Sequence, residues 1–142
     1  MEEASEDTIL MPMAAIAVEE GECLISSSQN LTRSTTVNDS VLFVSAQKSI
    51  DDRGDALTLT AGDMWPVYPL GCNEVVNVRS LTGKTWRTNA IVYNSQTAGA
   101  DGTVDTDSTN SATKIGRYVG PDNVATSGTT LIRVLLCFGP IA

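Results

Sequence analysis

The feature that most restricts the fold of this chain is its longest apolar stretch, residues 129–138 (TTLIRVLLCF), near the C-terminus. With a period of two, the stretch separates into a face of large apolar side chains and a face that mixes apolar residues with one charge. Its β-branched residues, together with the glycines on either side, favour a strand over a helix. We predict a terminal strand whose first face belongs to the core: Thr130, Ile132, Val134, Leu136 and Phe138.

The second face of this strand is a candidate partner-binding surface. It places a single positive charge, Arg133, among apolar side chains. Such a face suits a strand that is half covered by another layer of the protein or by another subunit. The residues that we assign to partner binding here are Leu131, Arg133 and Leu135.

Short segments of strand character, separated by turn residues, fill most of the remaining chain. They predict an all-β fold, a single compact β-sandwich or small β-barrel. The segment 64–70 holds two prolines and is predicted as an edge strand or extended segment, and the Ser/Thr/Asn-rich segment 26–40 as a loop or edge segment. The other strand candidates are residues 41–46, 56–60, 74–79, 85–93, 102–105 and 113–119.

Residues 1–22 are predicted to form an extended acidic N-terminal arm, followed by a β domain over residues 23–142. The arm has acids at both ends and an apolar centre, and a short helix over residues 14–20 is possible. Two interpretations stay open: a terminal element packed on its own domain, or a segment that orders on a partner. The arm residues assigned to partner binding are Ile9, Leu10, Met11, Met13, Ile16 and Val18.

The distribution of charge disfavours nucleic acid as a partner. The formal net charge is -8, and seven of the 17 acidic residues precede residue 23. The nine basic residues are scattered, whereas phosphate binding needs clustered Lys and Arg. No apolar run reaches 18 residues, so neither a transmembrane span nor a membrane partner is expected. We expect synthesis in the cytoplasm, since the acidic N-terminus is unlike a signal peptide.

Residues suited to catalysis or to cofactor binding are few. The chain has no histidine, and no nucleophile elbow, P-loop or dinucleotide-binding pattern occurs. Cys23, Cys72 and Cys137 lack metal-site spacing and are predicted to be buried free thiols. Asp101, Asp105 and Asp107 do not fit the EF-hand pattern and are predicted to be solvated loop carboxylates rather than calcium ligands. We predict no enzymatic activity, no cofactor and no metal.

Four short motifs in the second half resemble, in order and spacing, the small capsid decoration (cement) proteins of tailed bacteriophages. The resemblance runs from Ala90 onward, and the first 80 residues match no pattern of that family. The motifs are Ile91-Val92-Tyr93-Asn94, Asp101-Gly102-Thr103-Val104, Lys114-Ile115-Gly116-Arg117 and Leu131-Ile132-Arg133-Val134-Leu135-Leu136.

The resemblance implies a compact β domain on the outer surface of an assembled virion head. There it would bind the major capsid protein, commonly as a homotrimer, and clamp neighbouring capsid subunits without catalysis or cofactor. The alternative is a β-sandwich recognition module, carbohydrate-binding or adhesin-like. In that case Trp65, Tyr68 and Trp86 would form an exposed aromatic platform.

Overall fold

The computed structural model describes residues 8–35, 40–95, 97, 100–106, 113–122, 124–126 and 130–138. The acidic residues before Thr8, as well as Asp107 and Thr129, lie outside this part of the chain. Within it, all the regular secondary structure is β-strand, which confirms the predicted fold class. The strands are β1 (Ile9–Pro12), β2 (Cys23–Ser27), β3 (Asn30–Arg33), β4 (Phe43–Ser45), β5 (Met64–Pro69), β6 (Val75–Ser80), β7 (Thr85–Trp86), β8 (Ile91–Asn94), β9 (Val104–Asp105), β10 (Lys114–Tyr118), β11 (Val124–Ala125) and β12 (Thr130–Leu135).

The first half of the chain forms a five-stranded sheet in the order β1-β5-β4-β2-β3. A bridge between Met13 and Leu31 joins the two edges of the sheet, and the N–H of Ala14 donates to the carbonyl of Leu31 at 2.8 Å. The sheet therefore curls around its own apolar cluster. The buried members of this first core are Met13, Val18, Leu24, Leu31, Leu59 and Val67.

The second half forms a closed five-stranded barrel in the order β10-β12-β6-β9-β8. Its longest ladder joins β12 to β6 in antiparallel register from Thr130–Ser80 to Leu135–Val75. The short ribbon of β7 and β11 adds Trp86 to the barrel interior, where the indole donates to Ser80 Oγ at 2.8 Å. The barrel interior is the second core of the protein. The outward face of the first sheet contributes Cys23, Val44 and Leu70 to it, so the first sheet and the barrel pack together.

The two predicted faces of the last strand are found over residues 131–136, but not at its ends, because Thr130 and Phe138, both assigned to the core, are only half-buried and the Phe138 ring lies beneath Lys114 and Arg117. Ile132, Val134 and Leu136 are buried in the barrel core, whereas Leu131 and Arg133 are exposed and Leu135 is half-buried. A strand in a closed barrel presents alternate side chains to the interior and to the outside, which accounts for this alternation.

Of the two alternatives predicted for residues 64–70, an edge strand or an extended segment, the edge strand is wrong, because β5 is extended but lies between β1 and β4. Both prolines are tolerated because each lies where a ladder is ending. Pro66 faces the end of β4, where its carbonyl still accepts from Ala46 N–H at 3.1 Å. β1 begins at Ile9, which pairs with Val67, so Pro69 lies beyond the end of the β1–β5 ladder.

Two further local predictions also need correction. Within residues 26–40, predicted as a loop or edge segment, β2 and β3 form a hairpin through Ser28 and Gln29, both with positive φ. The loop alternative is therefore wrong for residues 30–33, whereas the edge alternative is right, because β3 is the last strand of its sheet. A two-residue hairpin turn with positive φ at both residues usually contains Gly or Asn. Ser28 and Gln29 are neither, so the sequence carries no signal for this turn. Residues 56–60 alternate like a strand, yet only Ala56 forms a bridge, with Ile50, while Leu59 N–H donates to Ile16 O at 2.9 Å.

The described part of the predicted arm is integral to the fold. β1 pairs with β5 over four residues, and the N–H of Met13 donates to Asp63 O at 2.9 Å. Met13 and Val18 lie fully buried in the first core. Residues 8–22 therefore do not form a separate arm with a boundary at residue 22, because their apolar side chains complete a core that residues 23–142 leave open.

Candidate partner-binding surface

The strongest candidate surface is the outward side of three adjacent barrel strands, which we call the outer barrel face. The register places Leu131 beside Arg79, Arg133 beside Asn77 and Leu135 beside Val75, and β10 lies along the other side of β12. Residues directly opposite in such a ladder share one side of the sheet. The outer barrel face comprises Val75, Asn77, Arg79, Arg117, Val119, Leu131, Arg133 and Leu135.

Three apolar side chains on this face are exposed to solvent. Val75 is 40% exposed, Leu131 38% and Val119 37%, and Leu135 between them is half-buried. A cluster of solvent-exposed apolar side chains marks an interaction site more often than a single exposed apolar side chain does. The outer barrel face thus has apolar area that burial against a partner would remove from water.

Three cations accompany these apolar side chains. Lys114 and Arg117 lie over the Phe138 ring, 5.6 and 5.9 Å from its centroid, and Arg133 projects from the middle of β12. Arg117 also donates through Nη1 to Asn89 O at 3.0 Å. Among the described residues, no carboxylate forms an ion pair with any of the three. This surface is locally positive although the chain as a whole is negative.

A turn of the N-terminal segment covers one border of the outer barrel face. Glu19 forms an ion pair with Arg79 at 3.2 Å, and Glu20 accepts from Asn77 Nδ2 at 3.2 Å. Gly21 approaches so closely that a Cβ on it would lie 3.0 Å from Leu131 Cδ2 and 2.8 Å from Asn77 O. The open part of the face is therefore the end that carries Val75, Arg133 and Leu135.

The same turn is anchored by a buried carboxylate. Glu22 lies 3.0 Å from Arg33 Nε and accepts from Glu19 N–H at 2.7 Å, and Arg33 also donates to Ala17 O. Burial raises the pKa of Glu22 above its ordinary value, while the Glu19 N–H and the Arg33 charge oppose that shift. Glu22 therefore has a structural position between the N-terminal segment, β2 and β3.

The six arm residues assigned to partner binding do not share one surface. Leu10 is 60% exposed and Ile9 43%, but they alternate along β1 and point to opposite sides. Met11 and Ile16 pack against the first core, and Met13 and Val18 are inside it. Their assignment to partner binding is wrong for Met13 and Val18, because side chains that fill a core are unavailable to a partner.

The aromatic platform is not assembled either. Trp86 is fully buried against Tyr118, with 5.8 Å between the ring centroids. Trp65 packs against the first core and Tyr68 against the second, on opposite faces of one sheet. These positions remove the shared surface that carbohydrate stacking would need.

The burial of the loop aspartates and of the cysteines agrees only in part with the predictions. Asp105 is buried and paired with Lys84 at 3.0 Å, so the prediction that it is solvated is wrong, while Asp101 is exposed. In the described ranges, no three His, Cys, Asp or Glu residues are grouped so that they could hold a metal ion. Cys23 is fully buried, but Cys72 and Cys137 are only half-buried.

The sequence identified only the β12 part of the outer barrel face. Val75 could have been found from the alternation of residues 74–79 once their partner strand was known. Lys114, Arg117 and Val119 carry no comparable signal, because Gly116 shifts the register of β10 by a bulge between Lys114 and Gly116.

No helix in the described part of the chain has the length and apolar character needed to cross a membrane. A scan against protein-family models and a search of curated proteins found no match to this chain.

Proposed function

We propose that this chain is a non-catalytic structural protein of a bacteriophage virion. It decorates the outer surface of the head and stabilises it by binding the major capsid protein between neighbouring subunits. The observation that carries the proposal is the outer barrel face, where exposed apolar side chains surround cations that lack an ion-pair partner among the described residues.

The chemistry of this face supports a partner surface of matching character. Val75, Leu131 and Leu135 favour burial against apolar side chains, which supplies affinity. Arg117 and Arg133 favour carboxylates at the border of the contact, which supply orientation and a faster encounter. The matching site on a capsid is an apolar strip bordered by Asp or Glu.

The architecture supports a role in mechanical stabilisation. Each of the five barrel strands is paired on both sides, so the outer barrel face lies on a rigid support. The first sheet is fixed to that barrel through a common core. A rigid body that contacts two capsid subunits can resist their separation without any moving part.

Several copies acting together make the contact firm. The open part of the outer barrel face carries only a few side chains, and a single contact made by so few residues is weak. Three copies in a homotrimer would bind a lattice with a much higher effective affinity, since the second and third contacts form at high local concentration. We therefore propose a homotrimer on the outer head surface, with no nucleic-acid or membrane partner.

Light scattering followed by co-sedimentation tests the proposal. We expect the purified chain to have the mass of a trimer and to co-sediment with expanded phage heads that lack a decoration protein. A monomer that stays in the supernatant at saturating head concentrations would contradict it.

A further inference from the structure

Residues 50–56, in the connection between β4 and β5, form a small hairpin on the surface of the protein. Ile50 and Ala56 close it with an antiparallel bridge, and its tip carries the tripeptide Arg53-Gly54-Asp55. All three residues of the tripeptide are exposed. No described residue forms an ion pair with Arg53 or Asp55. The hairpin therefore presents a cation and an anion to the solvent, separated only by a glycine.

Hydrogen bonds hold the tip of the hairpin in one conformation. Gly54 N–H donates to Asp51 O at 3.1 Å and Asp51 N–H donates to Asp55 O at 2.8 Å, which is the pattern of a three-residue hairpin loop. Gly54 occupies the position that needs a positive φ, at 85°. The Asp51 carboxylate also accepts from the backbone N–H groups of Arg53 and Asp55, at 2.8 and 3.0 Å. The backbone of the tripeptide is thus fixed before any partner binds.

The base of the hairpin is anchored in the protein. Ser49 is buried, and its Oγ donates to Leu57 O at 2.6 Å and accepts from Val18 N–H at 2.9 Å. Leu57 N–H in turn donates to Ser49 O at 3.0 Å. Since Val18 belongs to the first core, the hairpin is joined to that core at its base and exposed at its tip. A loop that is held in this way loses little conformational entropy on binding.

The two charges of the tripeptide suit different groups on a partner. A carboxylate such as that of Asp55 supplies the oxygen ligand that a hard divalent cation prefers. A guanidinium such as that of Arg53 binds a carboxylate through two parallel N–H donors. A Cβ on Gly54 would meet nothing within 4 Å, so a partner can approach the backbone between the two charges. The partner that fits is a protein whose bound divalent cation lies beside an acidic pocket.

We propose that the 50–56 hairpin binds a cell-surface receptor that presents a divalent cation beside an acidic pocket. Asp55 completes the coordination of the receptor's cation, and Arg53 pairs with a receptor carboxylate. A three-residue sequence often arises by chance. Here its exposure, its two charges and its fixed backbone together make it suitable as a ligand. None of its residues belongs to the outer barrel face, so receptor binding and capsid binding use different parts of the chain.

Binding of the full chain to an immobilised integrin ectodomain tests the proposal. Integrins have a cation site of this kind and bind exposed Arg-Gly-Asp tripeptides, and the vitronectin-binding integrin is the probe. In Mn²⁺ we expect saturable binding that EDTA abolishes and that a short linear Arg-Gly-Asp peptide competes away. Absence of saturable binding in Mn²⁺ would overturn the proposal, and so would binding that persists in EDTA. Phage heads are not used, so this result is independent of the proposed capsid contact.

Matched variants of the hairpin identify the residues responsible. Asp55→Glu keeps the charge but moves the carboxylate by one methylene group, and it should weaken binding by at least about tenfold. Asp52→Glu makes the same change at the neighbouring exposed aspartate and should bind as the wild type does. Asp51→Ala removes the carboxylate that fixes the tip, so it should bind more weakly than the wild type but more tightly than Asp55→Glu.

All of these substitutions lie on the surface hairpin, and melting temperatures near that of the wild type would show that the variants are folded. Equal binding by Asp55→Glu and the wild type would overturn the assignment of Asp55 to the receptor's cation. Unchanged binding by Asp51→Ala would overturn the contribution of the fixed backbone.

Discussion

Arg33 Nε lies 3.0 Å from Glu22 Oε2, and this ion pair fixes the N-terminal segment to the first sheet. Arg33 comes from the end of β3, and Glu22 directly precedes β2. The same guanidinium donates to Ala17 O, so one side chain links three parts of the chain. The Glu22 side chain is 6% exposed, so its charge depends on Arg33 for compensation.

Replacing Arg33 should therefore be costly. We expect Arg33→Met to lower the free energy of unfolding by about 2 kcal/mol at pH 7, because it leaves a buried carboxylate without its counter-charge. Urea unfolding measures the change. Arg53→Met, at an exposed loop cation, is the control and should stay within about 0.5 kcal/mol of the wild type.

Acidification should reduce the cost of Arg33→Met. The folded pKa of Glu22 is raised above its ordinary value of 4.5, chiefly by burial. Its contribution to stability is therefore fully present below pH 4.5 and is lost as pH rises through the folded pKa. Because Arg33 lowers the pKa of Glu22, removing Arg33 should raise that pKa further and extend the pH range over which the contribution is retained. Equal costs of Arg33→Met at pH 7 and at pH 5 would contradict the assignment.

Deleting residues 1–22 should prevent folding, because it removes β1 and the buried Met13 and Val18 together. Circular dichroism and solubility would report the loss. A matched pair of point variants isolates the cause: Met13→Ala should cost about 2 to 4 kcal/mol, and Leu10→Ala, at an exposed position, less than about 0.5 kcal/mol. A soluble truncated protein with a cooperative melting transition would show that the segment is dispensable.

A methyl group at Gly116 should disrupt the contact of β10 with β12. A Cβ there would meet the carbonyl oxygen of Leu135 and come within 2.7 Å of Val134 Cγ1. Gly116→Ala should therefore cost about 2 to 3 kcal/mol in urea unfolding. Gly54→Ala is the control, since a Cβ at Gly54 meets nothing within 4 Å and only its φ of +85° opposes the change. Its cost should be about 1 kcal/mol, and equal costs would argue against close contact at Gly116.

Adjacent residues of β12 should respond oppositely to an introduced carboxylate. Val134 is fully buried, so Val134→Asp should abolish cooperative folding through an unpaired buried charge. Arg133 points outward, and Arg133→Asp should fold with a melting temperature close to that of the wild type. Differential scanning calorimetry compares the two, and a Val134→Asp protein with unchanged melting temperature would contradict the core assignment.

The sequence predicted those features that follow from local pattern. The alternation in residues 129–138 predicted both faces of β12, and the short strands between turns predicted the all-β class. It could not show that β5 is internal, since two prolines normally indicate an edge and only the limits of β4 and β1 make Pro66 and Pro69 tolerable here.

The outer barrel face likewise was predictable only where it follows from the pattern of a single strand. Leu131, Arg133 and Leu135 follow from one strand, whereas Val75 and Arg117 join them only through strand pairing across distant parts of the chain. Met13 and Val18 have the apolar character of a binding segment as well as that of a core. Only tertiary structure distinguishes the two, because a core and an interface bury the same side chains for the same physical reason.

Co-sedimentation of charge-reversed variants with expanded phage heads tests the central claim most directly. Arg133→Asp places a carboxylate in the outer barrel face, and Arg53→Asp makes the same change in the exposed loop between β4 and β5. If the outer barrel face binds an acidic strip on the capsid, Arg133→Asp should weaken binding by at least about tenfold, the equivalent of 1.4 kcal/mol, and Arg53→Asp should bind as the wild type does. Unchanged binding of a folded Arg133→Asp protein would contradict this account of the surface.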